Sequence, residues 1–293
     1  MPAAVAARSA ALLRGGMSSA QAVRSVGEEI QRPETRDLIA EVDRGTSVGA
    51  ALSRLDGPEW RVLGAAWLLA EESGAALAPA LDRIAAALNS ISEANRRRSV
   101  LLAGPKMTAT LVGWLPLASI AVSFLLGFNP FPLFITPIGA LLLVTGLVLQ
   151  LIGVRWSAAL TGRVEREDRV AGLECELMWV ALAGGAPPGL ALRRVADAVS
   201  ETRAEWVTFD SLRAGRPLSR VLEVSAEAGV PASAMLLDEA TQIRARGQAA
   251  IEREAERLGI RILFPLASCQ LPAFIAVGVL PVVFTLLGDV LPR

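Results

Sequence analysis

Met107 to Val154 is the feature that most constrains this chain: 48 consecutive residues without a charged side chain, bounded by Lys106 and Arg155. At about 1.5 Å rise per residue a single straight helix of that length would reach about 72 Å. A bilayer core is about 30 Å thick and is crossed by about 20 apolar residues. The stretch is too long for one crossing and fits two. Gly127-Phe128-Asn129-Pro130-Phe131-Pro132 supplies the break, since two prolines and an Asn-Pro pair favour a turn. The pattern predicts a transmembrane hairpin over 107–154, descending over 107–126 and returning over 133–154.

A second uncharged stretch, Ile262 to Gly288, has room for one more crossing. Pro265, Pro272 and Pro281 within it predict a kinked or broken helix. The spans divide the chain into a first helical domain (1–106), the hairpin (107–154), a second helical domain (155–261), a third span (262–288) and a short tail (289–293). The expected fold class is all-α: an integral membrane protein with three transmembrane helices and two helical-bundle domains. Composition agrees, with 53% apolar residues in 293. The formal net charge is zero, so no global attraction to nucleic acid is implied. The chain has no histidine, which removes the commonest general base and metal ligand. Cys175 and Cys269 are far apart, one of them in an apolar stretch, and no disulfide is expected. The first 20 residues hold Arg8 and Arg14 and no long apolar run, so no signal peptide is expected.

The first domain repeats itself. Gly16, Gly45 and Gly74 lie 29 residues apart, and each is followed six and seven positions later by Ala22-Val23, Ala51-Leu52 or Ala80-Leu81. A fixed period of this size indicates a repeated supersecondary unit. The glycine closes one helix in the left-handed conformation. A small or polar residue then starts the next helix, and the apolar pair sits about two turns in, on the buried face. Arg32-Pro33-Glu34 and Gly57-Pro58-Glu59 add helix starts, with proline in the first turn and an acid at the positive end of the dipole. Helices are predicted near 18–30, 34–44, 47–55 and 59–72, with a long one from 76 towards the membrane. The spacing returns as Gly185 with Ala191-Leu192 and Gly215 with Val221-Leu222. A third unit in this second copy, read at Gly247, is degenerate because Glu254 stands where an apolar residue is expected.

Arg96, Arg97, Arg98, Lys106, Arg155, Arg163, Arg257 and Arg261 flank the membrane ends on one side, whereas the hairpin turn has no basic residue and the tail only Arg293. The positive-inside rule places both helical domains and the N-terminus in the cytoplasm and the C-terminus outside the cell membrane. Arg96, Arg97, Arg98, Arg257 and Arg261 are also candidate contacts for anionic lipid. Gly139, Gly146 and Gly153, spaced by seven, share one face of the second span and favour close helix packing, within the chain or with a partner subunit. Gln270, beside Pro272 in the third span, calls for a hydrogen bond to another helix or to carbonyls that proline frees. No Asp, Glu, Lys or Arg lies within any span, which argues against an ion-coupled transporter. Gly15-Gly16 and Gly184-Gly185 lack the Gly-Lys-Ser/Thr ending of a phosphate loop. Glu71, Glu72, Glu174, Glu176, Asp238 and Glu239 could ligate a cation, but exposed helix faces account for them more simply. No catalytic, cofactor or metal site is expected.

The Gly-x6-Leu units, as in Arg44-Gly45-Thr46-Ser47-Val48-Gly49-Ala50-Ala51-Leu52 and Glu72-Ser73-Gly74 through Leu81, resemble the type II secretion system F family. Within it the chain resembles the inner-membrane platform proteins of the tight-adherence (Tad/Flp) pilus. The run Leu263-Phe264-Pro265 through Gln270-Leu271-Pro272 to Leu280-Pro281 is similar to the third membrane helix of that family. The resemblance implies a non-enzymatic platform coupling a cytoplasmic hexameric secretion ATPase to pilin assembly. Its implied partners are that ATPase, a sister platform protein or further copies of itself, pilin transmembrane segments and membrane lipids. The rival readings are a small membrane transporter or channel component and a membrane-anchored helical signalling protein.

Overall fold

The computed structural model describes residues 1–125, 135–166 and 172–284. The expected turn at 127–132 and tail at 289–293 lie outside them. All regular structure in the described residues is helical. Among the described residues three helices are long and apolar enough to cross a membrane: Leu77–Leu125, Pro137–Gly162 and Ala232–Phe284. The protein is an all-α integral membrane protein. It divides into two compact units, Met1–Asn95 with Arg169–Gln248, and Arg96–Asp168 with Ala249–Arg293.

The first unit opens with α1 (Pro2–Arg14), α2 (Ser19–Ile30), α3 (Pro33–Asp43), α4 (Val48–Ser53), α5 (Pro58–Ser73) and the start of α6 (Leu77–Leu125). Its helix ends follow local rules. Gly16, Gly45 and Gly74 take φ of +89°, +88° and +71°, the left-handed region that closes a helix. Ser18 then caps α2, its hydroxyl accepting from the Gln21 amide at 3.4 Å while Gln21 reaches back to the Ser18 amide at 3.3 Å. Ser47 caps α4 in the same way through the Ala50 amide. Seven residues after each glycine, Val23, Leu52 and Leu81 are buried, and Trp67 fills the centre of the same core. At the α4–α5 crossing two glycines replace side chains: a Cβ on Gly64 would lie 2.7 Å from the Gly49 carbonyl oxygen.

The second half of this unit holds α8 (Leu173–Ala183), α9 (Pro188–Thr202), a 3₁₀ turn at Phe209–Leu212, α10 (Pro217–Ala228) and the first part of α11 (Ala232–Arg261). Its buried residues, among them Leu177, Met178, Val195 and Leu236, join Leu52, Leu63 and Leu81 in one hydrophobic cluster. Both copies of the repeat therefore contribute to a single core. Gly184 seals the join, because a Cβ there would overlap the Ser73 carbonyl. The degenerate third unit expected at Gly247 is corrected by the backbone. Gly247 lies within α11, whereas Gly229, at φ +65°, closes α10, and Leu236 seven residues later is fully buried. Gly229–Leu236 thus repeats Gly74–Leu81, each pair leading into a long helix. A search at fixed period overshoots it because one helix, α10, separates Gly215 from Gly229, where two, α4 and α5, separate Gly45 from Gly74.

The second unit contains the rest of α6, α7 (Pro137–Arg166), the end of α11 and residues 262–284. Over this last stretch α-helical turns at Leu263–Pro265 and Leu271–Phe274 alternate with π-helical turns at Leu266–Gln270 and Ile275–Val279. Proline lacks an amide hydrogen, and its ring crowds the carbonyl four residues back. The wider π turn is a known way to absorb such an interruption. Ser268 donates its hydroxyl to the Phe264 carbonyl at 2.6 Å, which supplies one carbonyl of this irregular stretch with a donor.

Candidate functional site

The chemically distinctive site of the first unit is built on the opening turn of α8. Gly172 precedes it at φ +91°, with a would-be Cβ 3.0 Å from the Ala240 carbonyl oxygen, so only glycine fits there. Glu174 and Glu176 occupy the first turn, where the helix dipole favours negative charge. The expectation that these acids lie on exposed faces is corrected: Glu176 is 0% exposed and Glu174 is buried. Glu176 is held by two arginines from distant segments. Arg83 of α6 donates through Nε at 3.1 Å to Oε2 and through Nη2 at 2.9 Å to Oε1, a bidentate fork. Arg244 of α11 donates to Oε1 at 2.9 Å.

Glu174 accepts from the Gly172 amide at 3.1 Å. Burial pushes its carboxyl above the ordinary carboxylate value, against the opposing pull of that backbone bond and the Arg244 charge. Burial likewise pushes the Cys175 thiol far up, with Glu174 adding to the effect, so it does not act as a nucleophile at neutral pH. Arg244 Nη1 is buried without a partner among the described residues. The arrangement suits a mechanical clamp: one carboxylate ties α6 to α11, and both helices run on into apolar spans.

The second unit gathers the residues singled out in the spans. Gly146 abuts the third span, where a Cβ would overlap Val277 and lie 3.4 Å from the Ala273 carbonyl oxygen. At Gly153 a Cβ would lie 2.9 Å from Gln270 Cγ and 3.1 Å from Cys269 Cβ. Gly139 is buried near the start of α7, its amide donating to the Thr136 hydroxyl at 3.1 Å. Gln270 is 1% exposed, and neither its amide nitrogen nor its oxygen has a partner among the described residues, which corrects the expected hydrogen bond. Pro272 directly follows the π turn that carries Gln270. Gln150, which the sequence reading passed over, donates to the Gly113 carbonyl at 2.5 Å and ties α7 to α6. Arg96, Arg97, Arg257 and Arg261 are exposed, but Arg98 is only 7% exposed, with Nε unpartnered among the described residues. A groove of about 670 Å³ runs between α6 and α7, with Gln270 in its lining.

The described residues thus combine a helical unit with a clamped core and three helices long and apolar enough to cross a membrane. Residues 7–125 match the family model of the type II secretion system (T2SS), protein F. This is the family of inner-membrane platform proteins of type II secretion and type IV pilus-related systems. No curated protein and no solved structure gives a significant match to the chain.

Proposed function

We propose that this protein is the inner-membrane platform of a Tad/Flp-type pilus or a related secretion machine, coupling a cytoplasmic hexameric ATPase to the assembly of pilins. The observation that carries the reading is the family match over 7–125, which runs from α1 through the first span. The Glu176 clamp supports it. A push on the helices of the first unit is resisted by charge-assisted bonds between α6 and α11 and is passed along them, where isolated helices would shear. In this reading the first unit faces the cytoplasm, as the basic residues flanking the spans favour. The protein works as an oligomer or with a sister platform protein, its exposed spans meeting pilin transmembrane segments, and the glycine stripe Gly139, Gly146 and Gly153 sets the packing of α7.

Crosslinking in native membranes followed by mass spectrometry tests it. Recovery of the secretion ATPase on residues 1–95 or 172–248 is the expected result. Intact secretion and pilus assembly after deletion of the gene would remove the proposal, and so would reporter fusions placing 1–106 and 155–261 on opposite sides of the membrane.

A further inference from the structure

We infer that Gln270, Gln150 and Ser157 form a polar latch inside the membrane, and that the described arrangement is its open state. In the closed state the Gln270 carboxamide bridges Gln150 and Ser157 and ties the third span to the hairpin. The inference stands independently of the platform role.

The latch rests on a match between atoms left without partners. Among the described residues of 107–162 and 262–284, the buried side-chain atoms that lack a hydrogen bond are Gln150 Oε1, Ser157 Oγ, and Nε2 and Oε1 of Gln270. In the closed state Gln270 Nε2 donates to Gln150 Oε1, and the Ser157 hydroxyl donates to Gln270 Oε1. All four atoms are then answered. Their placement fits this. Gln270 packs on Gly153, where a Cβ would lie 2.9 Å from Gln270 Cγ. Gln150 and Ser157 flank Gly153, three residues before it and four after, the spacings that share a helix face. They stand about 10 Å apart along α7. Two hydrogen bonds of about 2.9 Å, the carboxamide between them and the reach of the Gln150 side chain close that gap. Gln150 already donates to the Gly113 carbonyl, so the closed latch runs Ser157–Gln270–Gln150–Gly113 through all three spans.

Local structure does not require the carboxamide. Leu266-Ala267-Ser268-Cys269-Gln270-Leu271-Pro272 is repeated nine residues later as Ile275-Ala276-Val277-Gly278-Val279-Leu280-Pro281. Both copies make a π turn, closed by the Leu271 amide on the Leu266 carbonyl and by the Leu280 amide on the Ile275 carbonyl. Val279 serves the second turn and is 38% exposed, whereas Gln270, in the same position of the first, is 1% exposed. The glutamine therefore belongs to the interface and not to the turn. The π turn also supplies the movement. It holds one residue more than an α turn, and taking that residue into an α-helix carries the chain beyond it round by about 100° and along by about 1.5 Å. The Gln270 polar atoms are enclosed, so a change of partner needs this backbone step. Unanswered amides in hydrocarbon favour closure. Close seats favour the open register: a Cβ on Gly146 would overlap Val277, and one on Gly278 would overlap Ser119. The two states exchange polar bonds for close packing.

The test uses the full chain in lipid nanodiscs. Gln270→Val should lower the melting temperature by about 3 °C, and should leave it unchanged or raise it in a Gln150→Leu, Ser157→Ala background, where no partner remains to lose. The same shift in both backgrounds would overturn the latch. Nitroxides at Met107→Cys and Phe284→Cys, both exposed, give a second readout by double electron–electron resonance, since Cys175 and Cys269 are buried. Wild type should show two distances, and Gln270→Val and the Gln150→Leu, Ser157→Ala pair should each leave the same one. A single distance in wild type, or a distribution that either set of substitutions leaves unchanged, would overturn the two states.

Discussion

Glu176→Gln keeps the volume of the side chain and removes its charge. Two guanidinium groups then face a neutral amide whose NH₂ is itself a donor. Breaking a buried ion pair by removing one partner costs about 3–5 kcal/mol, because the remaining charge is left uncompensated. Two features place the expected cost at the lower end. The Arg83 side chain is 32% exposed and can turn to water, and Glu174 stays close enough to Arg244 to offset part of its charge. A loss of about 3 kcal/mol is a large part of the 5–15 kcal/mol that holds a typical domain together. At roughly 2–4 °C per kcal/mol for a unit of this size, the melting temperature should fall by about 6–12 °C. Thermal unfolding of the full chain in mild detergent, followed by circular dichroism and by protease cleavage within 1–95, reads this. The triple variant Arg83→Met, Glu176→Leu, Arg244→Met removes every charge of the clamp and should recover most of the loss, since apolar replacements of buried ion clusters are often neutral. If Glu176→Gln melted within 1 °C of wild type, or the triple variant were no better than the single one, charge compensation would not be what the clamp contributes.

Glu174 should titrate against the usual acid trend. Its folded-state value is raised, so its contribution is complete below the unfolded value near 4.5 and is lost as pH rises through the folded one. Wild type should therefore gain stability relative to Glu174→Gln as pH falls through the folded value towards 4.5, and a pH-independent difference in unfolding midpoints would refute this. Gly184→Ala drives a methyl group into the Ser73 carbonyl and should cost about 1–3 kcal/mol in the same melts, because backbone on both sides leaves no flexible neighbour to yield. Gly229→Ala should cost about 1–2 kcal/mol for its left-handed φ, whereas Gly247→Ala, inside a helix with nothing within 4 Å, should stabilise by about 0.5–1 kcal/mol. The opposite order would restore Gly247 as the end of a helix.

The sequence by itself determined the apolar stretches and the helix boundaries of the first domain from residue 18 onward. Charge exclusion from hydrocarbon and the length needed to cross it are one-dimensional constraints, so Met107–Val154 could be read without knowing any neighbour. Closure at Gly16, Gly45 and Gly74 is equally local, since a positive φ concerns one residue and its peptide planes. Helix starts at Pro33 and Pro58 followed for the same reason. What only the tertiary structure decided is which faces meet. Glu176 read as a solvated acid because its partners stand 93 and 68 positions away, and no local pattern marks a charge that will be compensated at such range. The Gly184–Ser73 contact, the shared core of the two repeats and the unanswered amide of Gln270 depend in the same way on what the opposite helix presents. Periodicity assigns a residue to a face; burial and pairing arise only when that face finds another.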